Sequence, residues 1–186
     1  MNSFYTYDEL KALGIKSYGE NVLISRRCSI YSPQLLTIGN NVRIDDFCIL
    51  SGNISIGDFV HISAFCALHG SKGIEIRSHS GCSARTTIYS AIDDFSGNFL
   101  IGPMHPDFLT NVQGGKVVIE EFAQVGANCV IFSNLTIGEG AAIGALSLVR
   151  ESIKPWTINA GIPARVLKER SKKCKELVSI LPNALN

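Results

Sequence analysis

The chain has 186 residues, 17 Lys and Arg against 16 Asp and Glu, a formal net charge of +1 and 46% hydrophobic residues. This length favours one domain with room for a sizeable core, the apolar content with only 18% charged residues excludes global disorder, and the near-neutral sum argues against a general nucleic-acid binder. The charge is uneven: from Arg150 onward 8 basic and 3 acidic residues give +5, and the remainder, 9 minus 13, gives −4.

With nine Phe, five Tyr and one Trp in the whole chain, Ile, Leu and Val must build the interior. At the start, Thr6 followed by Glu9 reads as a capping box opening a short helix, with Gly14 as its stop. The opening residues carry Asp8 and Glu9 and no long apolar core, so no export signal is expected. No apolar run approaches the roughly 20 residues that span a membrane. Cysteines 28, 48, 66, 82, 129 and 174 form no CxxC pair, and reduced thiols in a cytoplasm are the expectation.

From Ile24 a period of six takes over. Ile24, Ile30 and Leu36 form a first run, and after a two-residue slip Ile38, Ile44, Leu50, Ile56, Ile62, Leu68 and Ile74 form a second. Ile76 and Ile88 continue after another slip, and Ile119, Val125, Ile131, Ile137, Ile143 and Val149 make the last run. Six is neither a helical period nor a simple strand period; it fits a short strand and a corner, repeated. Four places after each aliphatic residue stands another apolar or small one, including Val42, Cys48, Val60, Cys66, Ala123 and Cys129. An even offset keeps both on one strand face, so Cys28, Cys48, Cys66 and Cys129 read as buried small hydrophobes.

Between Tyr89 and Lys116 the period vanishes. This loop holds Asp93, Asp94, Ser96 and His105, together with Phe95, Phe99, Ile101 and Phe108. A long interruption inside a strict period points to function. His105 is the first catalytic candidate, since a neutral imidazole suits proton abstraction near neutral pH and Pro106 biases its backbone toward extended angles. Past the last run, Ile158–Arg165 is rich in small residues that admit a close ligand, and Arg165 can pair with a phosphate. The chain closes with Leu167, Arg170, Cys174, Leu177, Val178 and Leu181, a helical stripe predicting an α-helix over 165–182.

These runs resemble the hexapeptide-repeat acyltransferases. The resemblance implies an all-β fold: a left-handed parallel β-helix, here of roughly five to six turns between Ile24 and Ser152. A single domain follows, with an N-terminal cap over 1–20, coil over 21–88 and 117–152, an active-site loop over 89–116 and the C-terminal helix. In the galactoside and maltose acetyltransferases a loop His-Pro pair supplies the catalytic His, and Met104-His105-Pro106 matches it. The family reads Ile158-Asn159-Ala160-Gly161-Ile162-Pro163-Ala164-Arg165 as a coenzyme A segment, and places Ala127, after Val125-Gly126, as the backbone donor to the oxyanion. The implied cofactor-binding set is Gly126, Ala127, Gly144, Ala145, Ala160, Gly161, Pro163 and Arg165, for acetyl-CoA as co-substrate. Gln124 stands where relatives often carry Trp, which puts an aromatic wall for the acceptor in doubt.

A narrower resemblance rests on Arg43–Cys48, Ser83–Ser90 and Asp93-Asp94-Phe95-Ser96-Gly97, which look like the nucleotide-sugar N-acyltransferases of bacterial O-antigen synthesis. It implies N-acetylation of a dTDP-linked amino sugar by a cytoplasmic homotrimer, with Arg85, Asp93 and Asp94 toward the sugar and no metal. Two alternatives stay open. One is O-acetylation of a sugar hydroxyl. The other is a silent or zinc-binding coil using His61, His69 and His79, against which the slip near Ile76 breaks the register of His61 and His79.

Overall fold

The computed structural model describes residues 3–180. The period of six becomes short parallel strands joined by corners, three to a turn, in a three-sided left-handed β-helix. The first face stacks Leu23–Ile24, Arg43–Ile44, His61–Ile62, Gly81–Cys82, Gln124–Val125, Ala142–Ile143 and Thr157–Gly161. The second stacks Ser29–Tyr31, the first halves of Ile49–Ile56 and Ala67–Ile76, then Thr87–Tyr89, Val130–Ile131 and Leu148–Val149. The third stacks Ser17–Tyr18, Leu36–Ile38, the second halves of the two long strands, Val117–Ile119 and Leu135–Ile137, and ends where Ile153 bridges Ile137.

The first face thus has seven parallel rungs, more than the repeat predicts. Ser17–Tyr18 lies inside the stretch expected as an N-terminal cap, and Thr157–Gly161 lies past the predicted end of the coil; both still pair with a neighbouring rung. The inward row is apolar until the last rung of the first face, where buried Asn159 stands beside Ile143. Ile24, Ile44, Ile62, Leu68, Ile88, Val125 and Ile131 are buried, each contributing roughly 1.5–3 kcal/mol. Cys28, Cys48, Cys66 and Cys129 fill inward slots as expected, and Cys82 is buried in the inward row between Ile62 and Val125. Burial pushes the Cys28 and Cys82 thiols up to about 12, so they pack as neutral groups.

Corners impose left-handed backbone on residues with side chains. Phe47, Phe65, Arg85, Asn128 and Leu146 share φ values of 57–63° along one corner. That region is costly for bulky residues, and stacking offsets part of the cost. The Phe47 and Phe65 rings lie 5.0 Å apart, with Arg27 over the first and Arg85 over the second. Along a second corner His79 is stacked between Phe59 and Phe122 at 5.1 and 5.2 Å, and Trp156 ends the row. Gly140 is required beneath Trp156, where an added Cβ would come within 2.4 Å of the indole. The third corner takes the irregularities: the 3-10 turn Pro33–Leu35, the extra residues at 71–73, and the loop over 90–116. Both slips in the period are insertions there.

The ends are covered differently. The helix Tyr7–Ala12 has the predicted capping box of Thr6 and Glu9, buries Leu10, and is followed by Gly14 at φ 73°. The helix expected over 165–182 is corrected: Ala164–Glu169 is a strand antiparallel to Thr157–Gly161, and helix is confined to Lys173–Val178. A last rung without a partner leaves a row of unpaired backbone groups, and the hairpin pairs that edge. Arg170 secures the return by donating to the carbonyls of Phe122 and Gly140, each at 2.9 Å. Leu181, the last residue of the predicted stripe, lies outside the described residues, as do Met1 and Asn2. Among the described residues no helix is long and apolar enough to cross a membrane.

Candidate active site

The predicted donor residues come together at the corner leaving the first face. Ser83-Ala84, Gly126-Ala127, Gly144-Ala145 and Ala160-Gly161 occupy successive rungs there, so small residues line one row along the coil axis. Part of that smallness is structural. A Cβ on Gly126 would stand 2.6 Å from the Ala145 nitrogen, and one on Gly144 would stand 2.9 Å from the Ala160 Cβ. Glycine is needed for the rungs to stack, whatever binds outside. At the far end Ala160 pairs across the hairpin with Arg165, whose guanidinium is exposed, and Pro163 forms the turn beside it.

The Ala127 N–H has no acceptor among the described residues, while its carbonyl accepts from Leu146 N at 2.9 Å. It can therefore donate to an oxyanion. The N–H groups of Ala84 and Ala145 are free in the same way. The repeat leaves this donor free at Ala84, Ala127 and Ala145, whereas at the far end of the row the Gly161 N–H is taken by Ser147 Oγ at 3.1 Å; position along the row decides which free donor meets a reacting carbonyl.

The loop is a built structure. Ala91–Ile92 pairs antiparallel with Gln113–Gly114, and Leu100 bridges Thr110. Asp94 is buried and latches the two limbs together. Its carboxylate accepts from Ser96 N at 2.7 Å, from Ser96 Oγ, and from Asn111 Nδ2 and Gln113 Nε2 at 2.9 Å each. The bonds from Ser96 hold its pKa below the ordinary carboxylate value; burial opposes them, and those from Asn111 and Gln113 add to the lowering. Asp93 is the freer of the pair. It takes one long bond, from Gly102 N at 3.4 Å, and lines a cleft of ≈ 460 Å³ with Tyr89, Ile92, Phe95, Val112 and Phe132.

His105 is exposed on the same loop. Its Nδ1 lies 2.9 Å from the Ile101 carbonyl oxygen. A carbonyl only accepts, so in the neutral ring Nδ1 carries the proton and Nε2 keeps a lone pair for an incoming proton. Phe95, Met104 and Phe108 beside it are strongly exposed.

Within one chain the two halves do not meet. Ala127 and its row lie between the first and second faces, whereas the loop leaves from the corner between the second and third. Arg85, weighed for the sugar, shares the donor-side corner and stacks on Phe65 at 5.4 Å. The other histidines are dispersed: His61 Nε2 is 2.8 Å from Asp45 Oδ2, His69 stacks on Tyr89 at 5.1 Å, and His79 sits in its aromatic row. Two groups escaped the sequence reading. Ser83 Oγ accepts from Gln124 Nε2 at 3.2 Å at the head of the donor row, and Asp45 engages both Arg43 and His61. The available signal was register: one turn of about 18 residues places Arg43 beside His61.

No protein-family model matches the chain. It is 42% identical over 181 residues, covering 95% of this chain and 94% of the relative, to the dTDP-4-amino-4,6-dideoxy-D-glucose acyltransferase of Escherichia coli. Its structure superposes on AntD, an N-acyltransferase from Bacillus cereus solved with dTDP-4-amino-4,6-dideoxyglucose and coenzyme A, with TM-score 0.96, 50% identity and 99% coverage of both chains. A second complex of that protein, with dTDP and 3-hydroxybutyryl-CoA, gives TM-score 0.97 at 50% identity over 100% of both chains. Complexes of AntD also include variants changed at a serine and at an aspartate. A hexapeptide-repeat acetyltransferase from Vibrio cholerae, at 22% identity, TM-score 0.61 and coverage of 89% and 80%, shares the fold. With the coil and this end-to-end likeness in place, the chain belongs to the hexapeptide-repeat acyltransferases, in the family of the dTDP-4-amino-4,6-dideoxy-D-glucose acyltransferase.

Proposed function

We propose that this protein transfers an acyl group, acetyl in the first instance, from acyl-CoA to the amine of a dTDP-linked 4-amino-4,6-dideoxy sugar. The observation that carries this reading is the 42% identity running through 95% of the chain to an enzyme of that name. The complexes of the Bacillus cereus protein with the amino sugar and coenzyme A support it.

The donor lies along the row from Arg165, which meets a phosphate, through Ala160-Gly161 and Gly144-Ala145 to Gly126-Ala127. His105 Nε2 takes the proton from the acceptor nitrogen as it attacks the thioester carbon, and the Ala127 N–H receives the oxyanion. Asp93 holds the sugar or its amine from the cleft, and Arg85 stands ready for a sugar or phosphate oxygen. Asp94 shapes the loop. Ser83 and the Asp93-Asp94 pair are a serine and aspartates placed at the row and on the loop, the residue kinds altered in the AntD variants. Because the row and the loop occupy different corners, a complete site draws the loop of one chain onto the row of another, and the assembly is a homotrimer. Its place is the cytoplasm, in O-antigen synthesis; six free thiols suit a reducing compartment.

The test measures thiol release from acetyl-CoA with three acceptors: dTDP-4-amino-4,6-dideoxyglucose, dTDP-glucose and a simple glycoside. Turnover with the amino sugar alone is expected. Equal or faster transfer to the hydroxyl-only acceptors overturns N-acylation in favour of O-acetylation.

A further inference from the structure

His61 lies on the donor side of the coil, unlike His105. Along the first face the outward row runs Arg43, His61, Gly81, Gln124, Ala142, with each residue beside the next in register. Gly81 leaves one step without a side chain between His61 and Gln124, and Gln124 reaches Ser83 Oγ at 3.2 Å. His61 is one rung from Ser83 and two from Gly126. Rungs spaced as in any sheet put those two steps at about 10 Å, so the ring meets a ligand whose reacting end extends past Gly126 toward the rung of Ser83.

The ring is held. Its Nε2 lies 2.8 Å from Asp45 Oδ2, and Arg43 Nε bonds Asp45 Oδ1 at 2.7 Å. Burial alone would raise the Asp45 carboxyl, but the bonds from Arg43 and His61 outweigh it and keep it below its ordinary value. Asp45 is thus an ionised partner, and Nδ1 is left without a partner among the described residues. Half of the His61 side chain is exposed (53%), so solvent can reprotonate it. The charged groups facing the ring are Asp45 and Arg43 on the preceding rung, while Gly81 and Gln124 on the following rungs bring none.

Aminolysis of a thioester moves two protons. One leaves the attacking nitrogen, and the departing sulfur, whose thiol has a pKa near 8.5, takes one up at neutral pH. We propose that the His61–Asp45 pair is the acid of this reaction: as the carbon–sulfur bond breaks, protonated His61 gives its Nδ1 proton to the coenzyme A sulfur and is reprotonated from solvent, while His105 accepts the proton from the nitrogen. The inference rests on the acyl-transfer reading and adds a residue to it. The carboxylate beside the ring orients it and balances its charge before transfer, as a buried carboxylate does for catalytic histidines generally.

The experiment compares wild type, His61→Asn, His61→Gln, Asp45→Asn and His105→Asn as full-length proteins, with acetyl-CoA and dTDP-4-amino-4,6-dideoxyglucose across pH 5.5–9.5. Loss of a general acid predicts a fall in kcat of about 10²-fold for both His61 variants with little change in KM for acetyl-CoA. Their kcat–pH curves lose the alkaline fall, whereas His105→Asn loses the acidic one. Asp45→Asn gives an intermediate loss and keeps both limbs. Wild-type kcat in either folded His61 variant overturns the proposal, as does a uniform loss across pH with a lowered Tm. Wild type that acylates no amino sugar sinks the acyl-transfer reading and this inference together; an active wild type with an unaffected His61 variant sinks this inference alone.

Discussion

Asp93 and Asp94 are neighbours in sequence and opposites in use. Four donors from both limbs of the loop converge on Asp94, whereas Asp93 meets one long contact and faces the cleft. The depressed Asp94 carboxyl stabilises the loop wherever it is ionised in the native state, so this contribution is full above the unfolded value near pH 4 and is lost as pH falls through the folded value. Acidification below about pH 4 should therefore release protection of the loop amides in hydrogen exchange before the coil opens. Asp94→Asn should do the same at neutral pH, with the coil's Tm little changed. His105→Asn should lower turnover by about 10²–10⁴-fold in steady-state assays, with the loop's exchange pattern intact. A smaller loss demotes His105 to positioning, since an acceptor amine already deprotonated needs less help.

The glycines separate packing from binding at the scale of the strand and corner. Gly126 lies in the donor row, and Gly138 lies on another corner, where an added Cβ would be 2.6 Å from the Pro155 nitrogen. Both Gly126→Ala and Gly138→Ala overpack one rung on the next and should cost about 1–3 kcal/mol, read as a lower Tm. Only Gly126→Ala should also raise KM for acyl-CoA. The terminal hairpin shows where local pattern misleads. Leu167, Arg170, Cys174, Leu177 and Val178 fit a helical stripe, yet Ala164–Glu169 is strand. Spacing reports which residues share a face of a helix, but the open edge of the last rung offers backbone partners that no local pattern can register. Once the hairpin pairs that edge, only Lys173–Val178 is left to be helical.

For the whole molecule, row and loop stand one face apart within a chain, so under the proposed homotrimer activity is a property of the assembly. Ala145 is exposed in the row, so Ala145→Trp should block the donor without disturbing the core, and His105→Asn disables the loop. Each alone should be nearly inactive. Unfolded together in equal amounts and reassembled, they should regain about a quarter of wild-type activity, because one site in four then joins an intact row to an intact loop across an interface. No recovery would place row and loop of the same chain in one site. The coil and its inward residues were legible in the chain alone, because a strict period of six obliges every rung to repeat one backbone and one face, and the resemblance to the hexapeptide-repeat family pointed to the row of small residues. The sequence also located the loop and His105, since a gap in so regular a pattern is conspicuous. Tertiary structure alone decided that Asp94 is a latch and Asp93 free, that Asp45 grips His61, that the last strand folds back, and that the two halves of the site stand on different corners. Those outcomes depend on residues brought together across rungs and limbs far apart in the chain, through hydrogen bonds whose partners no spacing along a single strand identifies.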